Sequence, residues 1–174
     1  LNLGCIPVGG SVGDVYGGAK ATNVNNDVLL NITNGTFNRV YGGNNVSGEV
    51  RGTITINVEE KGCTPIIINQ LFGGGNLAAY SVNDIPEAKR VTDVDAENYY
   101  LNVPKVNVIS ATRIGQVYGG GDNADVTGNP HVKIDMIPGV LNQGTSNEQT
   151  QSLGVIGQVF GGGNNANVNG NTTT

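Results

Sequence analysis

The sequence is short of charge and of long apolar runs. Only 13% of its 174 residues are charged, and the formal net charge is -5. Nucleic acids require a basic binding face, so this balance argues against DNA or RNA as a partner. No stretch of about 18 apolar residues occurs, which is the length that a membrane-spanning helix requires, so we expect no membrane span.

The residues that favour helices are scarce as well, which argues against a helical protein. In their place the chain has 28 Gly and 25 Asn. Glycine-rich chains are often disordered, but disordered segments combine low hydrophobicity with high charge. Here 37% of the residues are hydrophobic, and Val, Ile and Leu recur at fixed places. This pattern favours a folded protein built of β-strands.

One short phrase recurs five times along the chain. In each copy a polar, an aliphatic and an aromatic residue precede two or three glycines, as in residues 116–121 and 158–163. The aromatic residues of the five copies are Tyr16, Tyr41, Phe72, Tyr118 and Phe160. A repeat of this regularity indicates a repeat architecture and has to be considered before any local motif.

Short apolar segments with period-two alternation lie between the copies, joined by Gly and Asn turns. Val28, Leu30 and Ile32 are an example. Alternation of this kind predicts β-strands. We therefore predict an all-β fold, a parallel β-helix (β-solenoid) of about five coils with three short strands per coil. Residues 1–174 would form one solenoid, a segment or subunit of a longer array, with loop insertions at 80–104 and 138–152.

Stacking coils at about 4.8 Å would align equivalent residues along the solenoid axis. The five aromatics should then form one ladder, and the pattern leaves open whether they or the preceding aliphatic residues face the core. Glycine would serve corners that need positive φ or close backbone approach. The Asn residues that follow would occupy left-handed positions or form hydrogen-bonded ladders. A short helix is expected at residues 86–91.

Two other folds compete with the solenoid. An antiparallel β-sandwich explains the strands and turns but does not explain five copies of one phrase. A β-propeller has blades of about 40–50 residues. Two of the spacings between motif aromatics fit that length, but the first two, 25 and 31 residues, are too short.

The repeated phrase resembles the glycine- and asparagine-rich β-solenoid repeats of bacterial secreted and cell-surface proteins, including those of gut Bacteroidetes. The resemblance also rests on two related stretches, Ala124–Asn129 and Ala166–Asn171. It covers nearly the whole chain outside the two insertions. It implies a solenoid fold and an extracellular or cell-surface location. It implies no activity, because such repeats serve as stalks, adhesins and fibres.

Few residues suggest chemistry. The single histidine, His131, has no partner histidine and is expected at the surface. Asp122 and Asp125 follow three glycines as in calcium-binding nonapeptide repeats, but the tandem Gly-Gly-x-Gly-x-Asp pattern is missing. We expect no catalytic, cofactor-binding or metal site. The strongest candidate ligand loop lies in the first insertion, where carboxylates and tyrosines could bind a sugar: Asp93, Asp95, Glu97, Tyr99 and Tyr100.

The two cysteines, Cys5 and Cys63, occur in the same Gly-Cys-x-Pro phrase. If they occupy equivalent corners two coils apart, roughly 10 Å separates them. A disulfide needs α-carbons within about 7 Å. Either the loops bend to bridge the two cysteines, or each cysteine forms a cross-link with another chain.

These features predict a non-enzymatic structural repeat of an extracellular stalk, fibre or adhesin. The fifth repeat stops before its last strand, and Leu1–Leu3 resembles such a strand, so joining the last residue to the first would complete a repeat. Copies are therefore expected to stack head to tail into a filament. The alternative is a carbohydrate-binding or carbohydrate-active β-helix protein that uses the 80–104 insertion, with surface glycans as partners.

Overall fold

The computed structural model describes residues 9–90 and 101–174. Within these residues the chain forms 14 β-strands and two short 3-10 helices, Val82–Asp84 and Glu87–Lys89. The strands are β1 (Val12–Tyr16), β2 (Val28–Ile32), β3 (Gly35–Tyr41), β4 (Ile54–Glu59), β5 (Ile66–Phe72), β6 (Tyr80–Ser81), β7 (Lys105–Ser110), β8 (Arg113–Tyr118), β9 (Val126–Thr127), β10 (His131–Ile134), β11 (Val140–Leu141), β12 (Gln149–Thr150), β13 (Val155–Phe160) and β14 (Val168–Asn169). The second helix falls in the range expected to be helical, 86–91.

Strand pairing divides these strands into three parallel sheets and one hairpin. The motif sheet, ordered β1-β3-β5-β8-β13, contains all five copies of the repeated phrase. The alternating sheet is ordered β10-β7-β4-β2, and the short sheet is ordered β14-β9-β6. The one antiparallel pair in the described part of the chain, β11-β12, forms a hairpin inside the 138–152 insertion. The prediction of an all-β fold with parallel sheets is confirmed, and an antiparallel sandwich is excluded.

Successive strands along the chain join the three sheets in a fixed order. Strands β8, β9 and β10 are consecutive in sequence and belong to the motif, short and alternating sheets. In the first two repeats, the segment between the motif strand and the alternating strand forms isolated parallel bridges instead. Ala21 of the first repeat bridges Ser47 of the second, and Val24 bridges Val50. In the last repeat, Thr173 bridges His131 and extends the alternating sheet.

Equivalent residues of the five repeats lie in register across the motif sheet, and we call each such set a column. The aliphatic column consists of Val15, Val40, Leu71, Val117 and Val159. The aromatic column lies one residue further along each strand. Each column therefore stacks chemically similar side chains at the spacing of hydrogen-bonded strands.

The aliphatic column faces the main core. Val40, Leu71 and Val117 pack there with aliphatic residues of the alternating sheet, such as Ile56 and Val106. Three motif aromatics, Tyr41, Phe72 and Tyr118, form a separate buried cluster, and Tyr16 packs against it. Successive side chains of a strand point to opposite faces, so the aromatic column lies on the other face of the motif sheet. The aliphatic residues of the repeated phrase therefore face the main core, and the aromatic residues do not.

The motif glycines are required by close backbone approach. A Cβ added at Gly42 would lie 2.3 Å from the carbonyl oxygen of Gly73, and one at Gly73 would lie 2.3 Å from that of Gly119. Both distances are far below van der Waals contact. The glycines with positive φ are instead Gly9, Gly35, Gly48, Gly128 and Gly144, all outside the repeated phrase. The sequence offered two reasons for the motif glycines, positive φ and close backbone approach. The structure shows close approach at these positions and no positive φ.

The Asn residues after the glycines do not adopt left-handed conformations. Among the described residues, the one non-glycine residue with positive φ is Asn142, which lies in the 138–152 insertion. The Asn side chains form ladders instead. Asn76 donates to the side-chain oxygen of Asn45 at 2.9 Å, and Asn165 donates to that of Asn123 at 3.4 Å. The left-handed expectation for these residues was wrong, and the hydrogen-bonded ladder is the alternative that holds.

Two alanine substitutions at the same motif position test whether close approach sets the glycine requirement. A Cβ at Gly120 would lie 2.7 Å from the backbone nitrogen of Gly163, whereas a Cβ at Gly162 meets nothing within 4 Å. We expect Gly120→Ala to lower the free energy of unfolding by about 1–3 kcal/mol. Gly162→Ala should change it by less than about 0.5 kcal/mol. Urea denaturation measures both, and equal losses would contradict this explanation.

Candidate functional site

The five motif aromatics form one continuous stack. Neighbouring ring centroids lie 4.8–4.9 Å apart, and the planes are tilted by 2° to 12°. The order is Tyr16, Tyr41, Phe72, Tyr118 and Phe160. This is the ladder that the repeated phrase predicts. Aromatic pairs typically contribute about 0.5–1.5 kcal/mol each beyond the area that they bury, so the stack links all five repeats.

A buried carboxylate anchors the middle of the stack. The hydroxyl of Tyr41 donates to Oδ2 of Asp122 at 3.1 Å, and Nδ2 of Asn164 donates to Oδ1 of Asp122 at 2.9 Å. Burial, and secondarily the Asp122 carboxylate, raises the pKa of the Tyr41 phenol, which therefore stays a neutral donor. Asp122 thus ties three repeats together. Its two carboxylate oxygens each accept one of these hydrogen bonds.

A second buried carboxylate, Glu60, holds the corners that precede two motif strands. Its Oε2 accepts hydrogen bonds from the backbone nitrogen of Ile66 at 2.6 Å and from that of Thr112 at 2.8 Å. The hydroxyl of Thr112 donates to the same oxygen at 2.9 Å. Hydrogen bonds to a charged group are stronger than neutral ones, so Glu60 fixes the starts of β5 and β8. The sequence predicts a turn here and gives no sign of this buried role.

Polar columns cover the outward face of the motif sheet. Gln70 donates to Gln116 at 2.9 Å, and Gln116 donates to Gln158 at 2.8 Å. In the first two repeats the same column holds Asp14 and Arg39, whose carboxylate and guanidinium form an ion pair at 2.6 Å. Side chains of one column therefore pair with each other in every repeat.

The last repeat exposes apolar side chains at positions that are buried elsewhere. Val159 is 38% exposed and Phe160 is 40% exposed, whereas their partners on β8, Val117 and Tyr118, are 0% and 4% exposed. Val155 and Leu153 are also exposed on this repeat. We call the surface formed by Leu153, Val155, Val159 and Phe160 the apolar end. It belongs to β13, the edge strand of the motif sheet, and to the segment just before it.

Most of the other residues expected to be functional lie outside the described part of the chain. Cys63 is disulfide-bonded, and Cys5 lies outside the described residues. The candidate ligand loop of Asp93, Asp95, Glu97, Tyr99 and Tyr100 also lies outside them. In the described part of the chain, no group of three or more His, Cys, Asp or Glu side chains could hold a metal ion. No described helix is long and apolar enough to cross a membrane.

Comparison with known proteins finds no protein family, no curated protein and no solved structure that matches this chain. The functional argument therefore rests on the arrangement of the residues themselves.

Phenylalanine-to-alanine substitutions in the middle and at the end of the stack test how burial stabilises it. Phe72 is 0% exposed and stacks on both sides, whereas Phe160 is 40% exposed and stacks on Tyr118. We expect Phe72→Ala to lower the free energy of unfolding by about 3–5 kcal/mol. Phe160→Ala should lower it by less than about 1.5 kcal/mol, because part of its ring is already in water. Chemical denaturation of both variants measures the difference, and similar losses would refute this account.

Proposed function

We propose that this chain is a β-solenoid that serves as a structural repeat of an extracellular stalk, fibre or adhesin, stacking end to end into a filament. The fixed order in which the chain visits three parallel sheets supports the solenoid. So does the alignment of equivalent residues in columns. A repeat that buries its apolar face only against its neighbours needs several such repeats for stability.

A structural role without catalysis is the function that the buried polar groups support best. Asp122 and Glu60 are nearly fully buried, and each uses its carboxylate to hold neighbouring repeats together. Arg39 is paired with Asp14 in the same manner. These side chains act in assembly of the repeats.

The apolar end is the observation that carries the stacking proposal. Full burial of a large apolar side chain contributes ~1.5–3 kcal/mol, and the four residues of the apolar end are each 38–64% exposed. Strand β13 is also an edge strand, and edge strands pair readily with further strands. In a second copy, β1 is the opposite edge of the same sheet among the described residues, and it carries Val15, which is 6% exposed, and Tyr16 in the same columns.

Contact between opposite edges of one sheet is a head-to-tail contact. Such a contact uses two different surfaces and does not close on itself, so it propagates as a filament. Phe160 of one copy would stack on Tyr16 of the next and continue the aromatic ladder. Val159 would continue the aliphatic column in the same way.

An extracellular or cell-surface location is part of the proposal. Disulfides form and persist in oxidising compartments, and Cys63 is disulfide-bonded. The Gly- and Asn-rich repeat, which resembles those of bacterial secreted proteins, supports the same location. The alternative proposal, carbohydrate recognition by the 80–104 insertion, depends on residues 93–100, which lie outside the described part of the chain.

Lysine substitutions on neighbouring residues of β13 test the stacking. Val159→Lys places a charge in the apolar end, whereas Gln158→Lys adds the same charge on the outward polar column. We expect the unchanged protein and Gln158→Lys to form filaments as concentration rises, and Val159→Lys to stay monomeric. Sedimentation velocity and negative-stain electron microscopy measure assembly, and thermal denaturation verifies that both variants fold.

Gly162→Ala adds a second test, since its Cβ meets nothing within the chain. A neighbouring copy stacked in register would approach this glycine as Gly163 approaches Gly120. The substitution should therefore weaken assembly while leaving the monomer stable. A monomeric unchanged protein at high concentration, or filaments of Val159→Lys, would rule the proposal out.

A further inference from the structure

The outward face of the alternating sheet carries an elongated groove. One cavity of about 500 Å³ lies over β7 and β10, with Lys105, Asn107, His131 and Lys133 among its lining residues. A second cavity of about 570 Å³ lies over β2 and β4. Asn57 and Ile109 line both, so the two cavities are adjacent on this face. We call this feature the amide groove.

A ladder of side-chain amides forms the floor of the groove. Asn57 donates to Asn31 at 2.9 Å, and Asn107 donates to Asn57 at 2.9 Å. These residues point outward because they alternate with core residues such as Val106 and Val108, which are 0% exposed. Each amide has two N–H donors and an oxygen with two lone pairs, so the ladder uses only part of its hydrogen-bonding capacity. The rest faces the groove at the strand spacing of about 4.8 Å.

Basic side chains gather at one end of the groove. His131 pairs in register with Lys105, and Lys133 pairs in register with Asn107, so the three lie on two adjacent strands. Among the described residues, ion pairs engage Arg39, Arg51 and Lys61, and neither Lys105 nor Lys133 forms one. Of the described residues that line this cavity, Asp135 is the one acidic residue. The end of the groove is therefore locally positive in a chain of net charge -5.

We propose that the amide groove binds an acidic glycan. Lys105 and Lys133 would pair with its carboxylate or sulfate groups, and Asn57 and Asn107 would bind its hydroxyls, which both donate and accept hydrogen bonds. An extended sugar chain fits a groove that crosses four strands and offers amides at a regular spacing. A free inorganic anion would occupy only a small part of a cavity of about 500 Å³.

Other ligand classes fit the groove less well. Nucleic acids demand many phosphate contacts from an extended basic surface, and two lysines in an acidic chain do not provide one. A neutral glycan would not need unpaired lysines beside the amides. The site is also separate from the apolar end, because it lies on a sheet face rather than on the edge strand of the motif sheet.

Calorimetric titration of the full chain with charged and uncharged oligosaccharides tests the proposal. The probes are an oligogalacturonate against its methyl ester, and dextran sulfate against dextran. We expect binding to at least one charged probe and at least tenfold weaker binding to its uncharged counterpart. The two charged probes distinguish a carboxylate from a sulfate as the group recognised. Sodium sulfate at the same ionic strength should not displace the bound glycan completely.

The Lys105→Gln, Lys133→Gln double variant provides the residue-level test. Loss of a hydrogen bond to a charged group typically lowers affinity about tenfold or more. We therefore expect this double variant to bind the charged probe about tenfold or more weakly than the unchanged protein does. Lys20→Gln removes one positive charge from an exposed position outside the groove and should leave affinity within about twofold of the unchanged protein. Thermal denaturation verifies folding. Absent binding of both charged probes, equal binding of their neutral forms, or unchanged affinity of the double variant would each overturn the proposal.

Discussion

The distance between successive glycine backbones is the constraint on which the rest of the structure depends. At Gly42, Gly73 and Gly119 the carbonyl of the next repeat occupies the space that a Cβ would need. The backbone nitrogens of these glycines donate to the residue before the next glycine at 2.9 Å. Since nothing separates the backbones at this point, each repeat is held at hydrogen-bonding distance from its neighbour. The side chains before and after the glycines therefore meet their equivalents directly.

This fixed spacing explains why like residues accumulate in columns. Flat aromatic rings fill a spacing of 4.8–4.9 Å without gaps, and side-chain amides bridge it with hydrogen bonds near 2.9 Å. At two positions a column holds a different residue that its neighbour pairs with. Arg39 is accepted beside Asp14 because the two form an ion pair, and Asp122 is accepted beside Asn164 because the amide donates to it.

The repeated phrase made the parallel pairing and the aromatic stack predictable, because an identical context at five positions implies an identical place in the fold. The burial of Glu60 and Asp122 was not predictable in this way. Each carboxylate depends on donors from distant repeats, at Thr112 and Tyr41, that no local pattern connects with it. The reason for the motif glycines was not predictable either, because sequence alone does not separate positive φ from close approach.

The amide groove was not predictable from the sequence either. Lys105 and Lys133 belong to different repeats, and the interval between them includes the motif strand β8 and the short strand β9. Only the register of β7 and β10 brings them to one surface. His131, which looked isolated in the sequence, lies beside Lys105 for the same reason.

The ends and the faces of such a fold can carry different functions without interfering. Assembly through the apolar end would leave the outward face of the alternating sheet uncovered, and the groove would recur once in every copy of a filament. A groove with two lysines on an open surface binds a single glycan segment only weakly, because exposed charges are well solvated. A long polysaccharide that contacts many copies binds with an avidity that can exceed the single-site affinity by about 10²–10⁴. Filament formation and weak glycan binding would therefore reinforce each other, and a strong individual site would not be needed for firm attachment to an acidic polysaccharide.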